Sequence, residues 1–366
     1  MQYVAIIGGG IGGLSLAWAL HKRGVRVSLY EQGPIPNPVS SSFDEHRITR
    51  HIYGGLPGYG ALMPHAFRTY DELWADLGET HYLATNLVYV GRRESDFYET
   101  TARDLDHFRI GHRPLSPTEI ASRLPMLRTD GIVDGFEAEG VGMLFASRIV
   151  SALARWLATA GVELHPHSRV TDLDPEAGTF TVNDSRKAAD TVVVAAGAWL
   201  PAIYPSARPR LTPSRQLVLY VEPPADLAAA WATAPVLVDT GVTHGTYILP
   251  PRGGTRLKIG DHTFSRRGEG SDDRIARPED TAGVLAAASE IFAGFERYRQ
   301  IEARVCYYTV TDDERFVVEP IGKYGWLLSA CSGHGFKLAP LIATGLADAI
   351  LGRRTAADVT EWAAGR

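Results

Sequence analysis

A continuous apolar run, Tyr3-Val4-Ala5-Ile6-Ile7, breaks into Gly8-Gly9-Gly10-Ile11-Gly12-Gly13 and resumes as an apolar helical pattern through Leu20. Glycines in the order Gly8-x-Gly10-x-x-Gly13, between a buried strand and a helix, permit a tight turn, close approach of backbone to a pyrophosphate and close helix-strand packing. The helix N-terminus then faces the anion. Gly24 closes the helix, and Val25 to Tyr30 reads as a second strand ending on Glu31, 18 residues after Gly13. An acid there hydrogen-bonds the adenosine ribose hydroxyls and disfavours a 2'-phosphate, which argues against NADP. One βαβ unit carrying a dinucleotide is therefore expected at the start of the chain. The motif alone leaves FAD and NAD both open.

The remaining sequence adds a second body to that unit. At 366 residues the chain exceeds the length at which one hydrophobic core usually stops growing, so about two domains are expected. Its 37 basic and 42 acidic residues give a formal net charge of -5 without a dense basic block, which argues against nucleic acid as a partner. The two cysteines, Cys306 and Cys331, exclude a disulfide-stapled secreted scaffold and favour a reducing compartment. No apolar run reaches the roughly 18 residues of a membrane span, and the apolar start lacks the basic stretch and cleavage site of a signal peptide. A cytoplasmic protein, away from membranes, is expected.

Along the chain, Pro34, Pro36 and Pro38 force an extended passage into the serines at 40 to 42. A helical pattern runs from about 64 to 80, another from Ser147 to Thr159, and others near 279 to 292 and from Pro340 to Leu351. The strand Thr191 to Val194, ending in small residues, is expected to return to the first sheet. Antiparallel-looking strands fill 215 to 265, and a polar loop spans Ser265 to Arg277. The reading is a mixed α/β chain with a Rossmann-type domain of residues 1–80, 145–214 and 300–366. A discontinuous, mostly antiparallel sheet domain, 81–144 and 215–299, is expected to bind substrate.

Five ordered segments carry a likeness. They are GGGIGG with Glu31; Arg47-Ile48-Thr49-Arg50-His51-Ile52-Tyr53-Gly54; Lys258-Ile259-Gly260-Asp261-His262-Thr263-Phe264; Cys306-Tyr307-Tyr308-Thr309-Val310-Thr311; and Ser332-Gly333-His334-Gly335-Phe336-Lys337. Together, over nearly the full length, they resemble the D-amino-acid-oxidase superfamily in its monomeric sarcosine oxidase and N-methyltryptophan oxidase branch. The resemblance implies an FAD-dependent oxidase of secondary or N-methyl amino acids, with dioxygen as second substrate, and a monomer is expected. A flavin monooxygenase would place a Gly-Asp pair before its late helix, where this chain has Ser332-Gly333-His334-Gly335.

The resemblance also assigns roles. Cys306 and Tyr308, two apart, point to one face of a strand; the likeness bonds the Cys306 sulfur to the flavin, puts Tyr308 in the substrate pocket and leaves Cys331 as a core residue. Lys258 becomes the cation that speeds reaction with dioxygen, because a fixed positive charge stabilises a developing superoxide. His262, on the same strand face, and Tyr247 line the substrate. Arg47 and Arg50, three apart, share one face of a turn or helix. The likeness gives Arg47 and Ser41 places beside the cofactor, and Arg50 the substrate carboxylate, for which a guanidinium is a bidentate partner. Gly333, His334, Gly335 and Phe336 pass close to the flavin ring, and Lys337 is the second cation on the carboxylate. No metal ligand set is expected. Relatives often carry a His-Gly-like pair before Arg47, where this chain has Phe43-Asp44-Glu45-His46, and tend to carry an aromatic residue where Asp261 stands. Sarcosine, larger N-alkyl amino acids, proline, pipecolate and iminodiacetate all satisfy two cations in a shaped pocket.

Overall fold

In the computed structural model, which describes every residue except Met1, Gly54, Ser95, Val242, His244 and His262, the strand Tyr3–Ile7 lies inside a six-stranded sheet. It pairs in parallel with Arg26–Tyr30 on one side and with Thr191–Val194 on the other. Glu163–His165 extends one edge in parallel; Gly325–Ser329 and then the antiparallel Val317–Ile321 extend the other. Period-two alternation divides the first strand's side chains between two cores. Val4 and Ile6 face helices Ile11–His21, Ala146–Thr159 and Ala339–Ile350, whereas Ala5 and Ile7 face Phe180, Val170 and Val182 of a small antiparallel sheet. Burial on both faces explains why Tyr3–Ile7 and Thr191–Val194 read as unbroken apolar runs rather than alternating ones.

The second body is an eight-stranded sheet. Its order is Arg299–Val310, Thr212–Glu222, Leu257–Asp261, Thr246–Leu249, Val236–Asp239, Leu87–Gly91, Asp134–Ala138 and His112–Pro114. All neighbours are antiparallel except Val236–Asp239 with Leu87–Gly91. Leu257 and Ile259 pack under helix Pro278–Ile291 with Leu219, Val284 and Ala288, so Lys258 between them is turned to the opposite face. That face looks towards the dinucleotide unit.

Several boundaries differ from the sequence reading. The 300–366 segment was expected with the dinucleotide unit, but Arg299–Val310 pairs along its length with Thr212–Glu222 in the eight-stranded sheet. The helix expected from about 64 is Pro57–Leu77, with Pro57 at its first turn and Gly78 closing it at φ +72°. Pro64 lies inside that helix. Arg47–Thr49 is a short strand paired with Gly142–Leu144, not a turn or helix. A final helix, Ala356–Ala363, follows the expected closing one and is capped by the Thr355 side chain accepting from the Asp358 N–H at 3.1 Å.

Candidate active site

A cavity of about 560 Å³ opens where the parallel strands end and runs from Glu31 past Gly8 and Gly10 to Arg50, Tyr308 and Lys337. Its glycines are required by contact. Gly8 has φ +115°, and a Cβ there would lie 2.5 Å from the Ala195 carbonyl oxygen; at Gly13 it would lie 1.9 Å from the Gly8 oxygen. Gly10 caps helix Ile11–His21, whose Ile11 N–H donates to Ser42 Oγ at 2.9 Å. Glu31, 7% exposed, lines the wall. Its carboxylate is fixed by the Gly9 N–H at 2.8 Å, the Gly33 N–H at 3.0 Å and Asn37 Nδ2 at 2.9 Å.

At the far end stand two cations, Arg50 and Lys337, without a counter-ion among the described residues. The side chain of Lys337, a residue 4% exposed, donates to the His334 carbonyl at 3.1 Å and reaches the Tyr53 hydroxyl at 3.4 Å. Arg50 Nε is buried with no hydrogen-bond partner, and among the described residues no carboxylate lies within ion-pair distance of either side chain. Burial pushes both cations down in pKa, Lys337 strongly and with Arg50 as second cause. A buried, uncompensated charge pair is costly unless an anion completes it. Around it, burial raises the hydroxyl pKa values of Tyr53, Tyr247 and Tyr308, which keeps them as neutral donors. Gly260 makes room for Tyr247: a Cβ there would lie 2.4 Å from the tyrosine Cζ.

Lys258, also on the wall, is fully buried and carries a partner the sequence reading left unassigned. Its ammonium donates to Asp44 Oδ2 at 2.5 Å and to the His46 carbonyl at 3.1 Å. Asp44, 3% exposed, also accepts from the Tyr220 hydroxyl, pairs with Arg47, and meets Arg304 at 3.3 Å. Burial would raise the Asp44 carboxyl, but Arg47 and Lys258 outweigh it and hold it well below the usual carboxylate range. Burial and then Arg47 lower Lys258 to about 8, against the pull of Asp44. Arg47 also donates to the Ser41 carbonyl at 2.7 Å, while Ser41 Oγ donates to the Tyr307 carbonyl. The sequence signal for Asp44 was a carboxylate three residues before a site arginine, visible only as a departure from relatives.

His46, fully buried, donates its Nε2–H to the Arg256 carbonyl at 3.1 Å and leaves Nδ1 unpartnered. Burial, then Lys258, lowers its pKa to about 3. Its native pKa lies below that of the unfolded chain, so its contribution is present above about pH 6.5 and is lost as pH falls towards 3. Urea unfolding between pH 6.5 and 4 is expected to lose up to about 1.4 kcal/mol per pH unit that His46→Gln does not lose; parallel acid profiles in the two proteins would sink this.

The loop before helix Ala339–Ile350 passes directly along the cavity: Gly333 has φ +75° and a Cβ there would meet Phe264 and Tyr308 rings at 3.1 and 3.2 Å. At Gly335 it would lie 1.8 Å from the Ala330 oxygen. Phe336 lines the same wall. His334 reaches Tyr53 at 3.2 Å and the Glu314 carbonyl at 2.9 Å. Cys306, 8% exposed, is not among the lining residues, whereas Cys331, expected as a core residue, is. His262 lies outside the described residues. Arg47, Arg50, Ser41, Tyr247, Lys258, Tyr308 and Lys337 all converge on this one cavity.

A glycine cradle fit for a dinucleotide is continuous with a cation-lined pocket against the second sheet, an arrangement that fits a dinucleotide-dependent oxidoreductase. The FAD dependent oxidoreductase family matches residues 3–349, and the chain belongs to that family. It is similar to monomeric sarcosine oxidase of Bacillus sp. (strain B-0618), 28% identical over 99% of this chain and 95% of the relative. It is also similar to N-methyl-L-tryptophan oxidase of Salmonella enteritidis PT4, 25% identical over 99% and 98%. The L-proline dehydrogenase structure from P. horikoshii superposes with a TM-score of 0.83 at 18% identity, covering 100% of this chain and 96% of that one, and so shares the fold. The residues present fit FAD: the side-chain-free turn at Gly8 and Gly10, the helix start at Ile11 and the fixed carboxylate of Glu31 lie in order along one wall.

Proposed function

We propose that the chain is an oxidase of secondary amino acids of the sarcosine type. The observation that carries this reading is that, among the described residues, neither the buried Lys337 ammonium nor the half-buried Arg50 guanidinium, whose Nε is buried and unpartnered, has a carboxylate partner at the end of the FAD cavity. A substrate carboxylate completes that pair through the planar fork of Arg50 and the ammonium of Lys337. Anchoring it fixes the carbon next to the amine nitrogen and supplies the orientation part of catalysis. Two cations and burial lower the proton affinity of the bound amine, so the substrate reacts as the neutral amine without a strong general base. Tyr247, Tyr308 and Phe264 exclude water from the reacting carbon. FAD, which Gly8, Gly10, Ile11 and Glu31 would hold, would supply the hydride acceptor for that carbon and the two-electron reductant that, with two protons from the amine and solvent, turns dioxygen into hydrogen peroxide. The imine product hydrolyses in water. Lys258 presents the charge that stabilises the developing superoxide.

A peroxide-coupled screen over secondary and primary amino acids tests the reading. Peroxide with N-alkyl or cyclic secondary amino acids is expected; substrate-dependent dye reduction without peroxide would reassign the chain as a dehydrogenase. Cys306 is proposed as the covalent anchor of the cofactor, supported by its sharing a strand face with cavity-lining Tyr308. Acid precipitation is expected to leave yellow colour in the pellet, and Cys306→Ala to release it to the supernatant. Colour released from the wild type refutes the bond, and colour retained by Cys306→Ala moves it elsewhere, with Cys331 on the cavity wall the next thiol to test.

A further inference from the structure

We propose that Asp44 is a positioning residue that holds the Lys258 ammonium fixed and charged on the cavity wall, and so sets the pH range over which the enzyme reacts rapidly with dioxygen. The inference rests on Lys258 acting towards dioxygen as proposed above. Lys258 has no solvent contact, and among the described residues the groups facing it are Asp44, the carbonyl and neutral ring of His46, Arg47 and, from the sheet's edge strand, Cys306. Of these only Asp44 carries negative charge, since Cys306 is neutral both as the flavin thioether proposed above and as a free thiol, whose pKa burial raises. Lys258 and Arg47 therefore share one buried carboxylate, which Arg304 also meets from its far side. Desolvation and like-charge repulsion both favour the neutral amine, and one carboxylate in contact opposes both.

The carboxylate is itself held from the far side. Tyr220 pairs with Lys258 across the sheet and donates its hydroxyl to Asp44, while the Arg256 and Arg304 guanidiniums lie 4.1 and 5.1 Å from the Tyr220 ring centroid. Glu45 and Glu302 pair with Arg256, and Glu302 with Arg304. This network runs from the cavity wall to partly exposed side chains, so the Asp44 oxygens have one orientation available. No bond forms at Lys258 and no proton leaves it in the proposed role; its charge and its position are what Asp44 supplies.

The chain has five lysines, Lys22, Lys187, Lys258, Lys323 and Lys337, so lysine-selective 13Cε and 15Nζ labelling of the holoenzyme gives a spectrum simple enough to titrate, with Lys258→Met assigning the signal. Wild-type Lys258 is expected to titrate near pH 8. Asp44→Asn should lower that midpoint by about one unit or more, the size of shift a contacting opposite charge produces, and move the alkaline limb of the flavin reoxidation rate constant by the same amount. An unchanged Lys258 midpoint in Asp44→Asn overturns the proposal even if the variant is less stable, because a merely structural carboxylate would lower Tm without moving this titration. Should Asp44→Asn not fold, the wild-type titration decides: a midpoint near 8 supports the proposal and a neutral amine at pH 7 overturns it. Failure of the Lys258 reading is separable, since Lys258→Met with unchanged reoxidation removes the dioxygen role while the Asp44-dependent lysine titration stands.

Discussion

Lys258→Met is expected to slow reaction of the reduced enzyme with dioxygen by about 10²- to 10³-fold while leaving reduction by substrate within a fewfold of wild type. The magnitude follows from removing one preorganised charge facing a developing anion in a water-excluded site. Lys258 has no exposed surface, so solvent neither screens the ammonium nor replaces it when it is gone. Methionine fills a similar volume, and the carboxylate left behind keeps Arg47, Arg304 and Tyr220 as partners, so the fold is expected to survive. The substrate cations lie elsewhere on the wall, on the segment following Arg47–Thr49 and on the loop before the Ala339–Ile350 helix. Stopped-flow measurement of the two half-reactions separates the effects. Equal slowing of both would mean that Lys258 shapes the site generally, and unchanged reoxidation would remove its proposed role.

Arg50→Gln is the second large effect, and it has an uncommon signature. In the protein alone, Arg50 is a half-buried cation whose Nε is buried and unpartnered and whose pKa is lowered by burial, so truncating it relieves part of a desolvation cost. Stability is expected to be unchanged or to rise. Substrate recognition is expected to collapse: losing one partner of a buried, hydrogen-bonded charge pair costs about 3–4 kcal/mol, or roughly 10²- to 10³-fold in kcat/KM. Lys337 remains, so the loss is large without being complete. Thermal melts together with steady-state kinetics check both halves. A destabilised variant with near-normal kcat/KM would mean that Arg50 is a structural residue and that the carboxylate binds elsewhere.

The dinucleotide half of this site was legible because its chemistry is local. Gly8, Gly10, Gly13 and Glu31 lie within one βαβ unit; Gly8, Gly10 and Glu31 line the cavity, while Gly13 packs the helix against the Gly8 backbone. The substrate half is assembled from strands far apart in the chain, and only likeness to a family could group Arg50, Lys258, Tyr308 and Lys337 in advance. Asp44 shows what that route misses. Its contact with Lys258 spans 214 residues, and its meaning depends on Tyr220 and Arg304, neither of which any motif singles out. Arg47–Thr49 was misread because spacing of three suggests a helix face, whereas three residues paired with Gly142–Leu144 form a strand whose partner cannot be seen locally. The allocation of 300–366 differs for a related reason: Arg299–Val310 pairs along its length with Thr212–Glu222, a strand nearly ninety residues earlier whose partnership is fixed by topology.

The segment 363–365 shows how far the cavity wall extends in sequence. The Tyr59 hydroxyl donates to the Ala363 carbonyl at 3.1 Å and accepts from the Phe316 N–H at 2.7 Å, and Arg315 donates to the Ala364 carbonyl at 2.6 Å. Gly58 meets the Gly365 backbone so closely that a Cβ there would lie 1.9 Å from its carbonyl oxygen. Phe316 in turn stacks on His334 with ring centroids 4.5 Å apart, and His334 is on the wall. Selection for altered substrate preference can therefore be expected to recover changes at 58, 59 or 363–365 that touch no ligand, and fusions placed after Ala363 will report on the enzyme as much as on the fused partner.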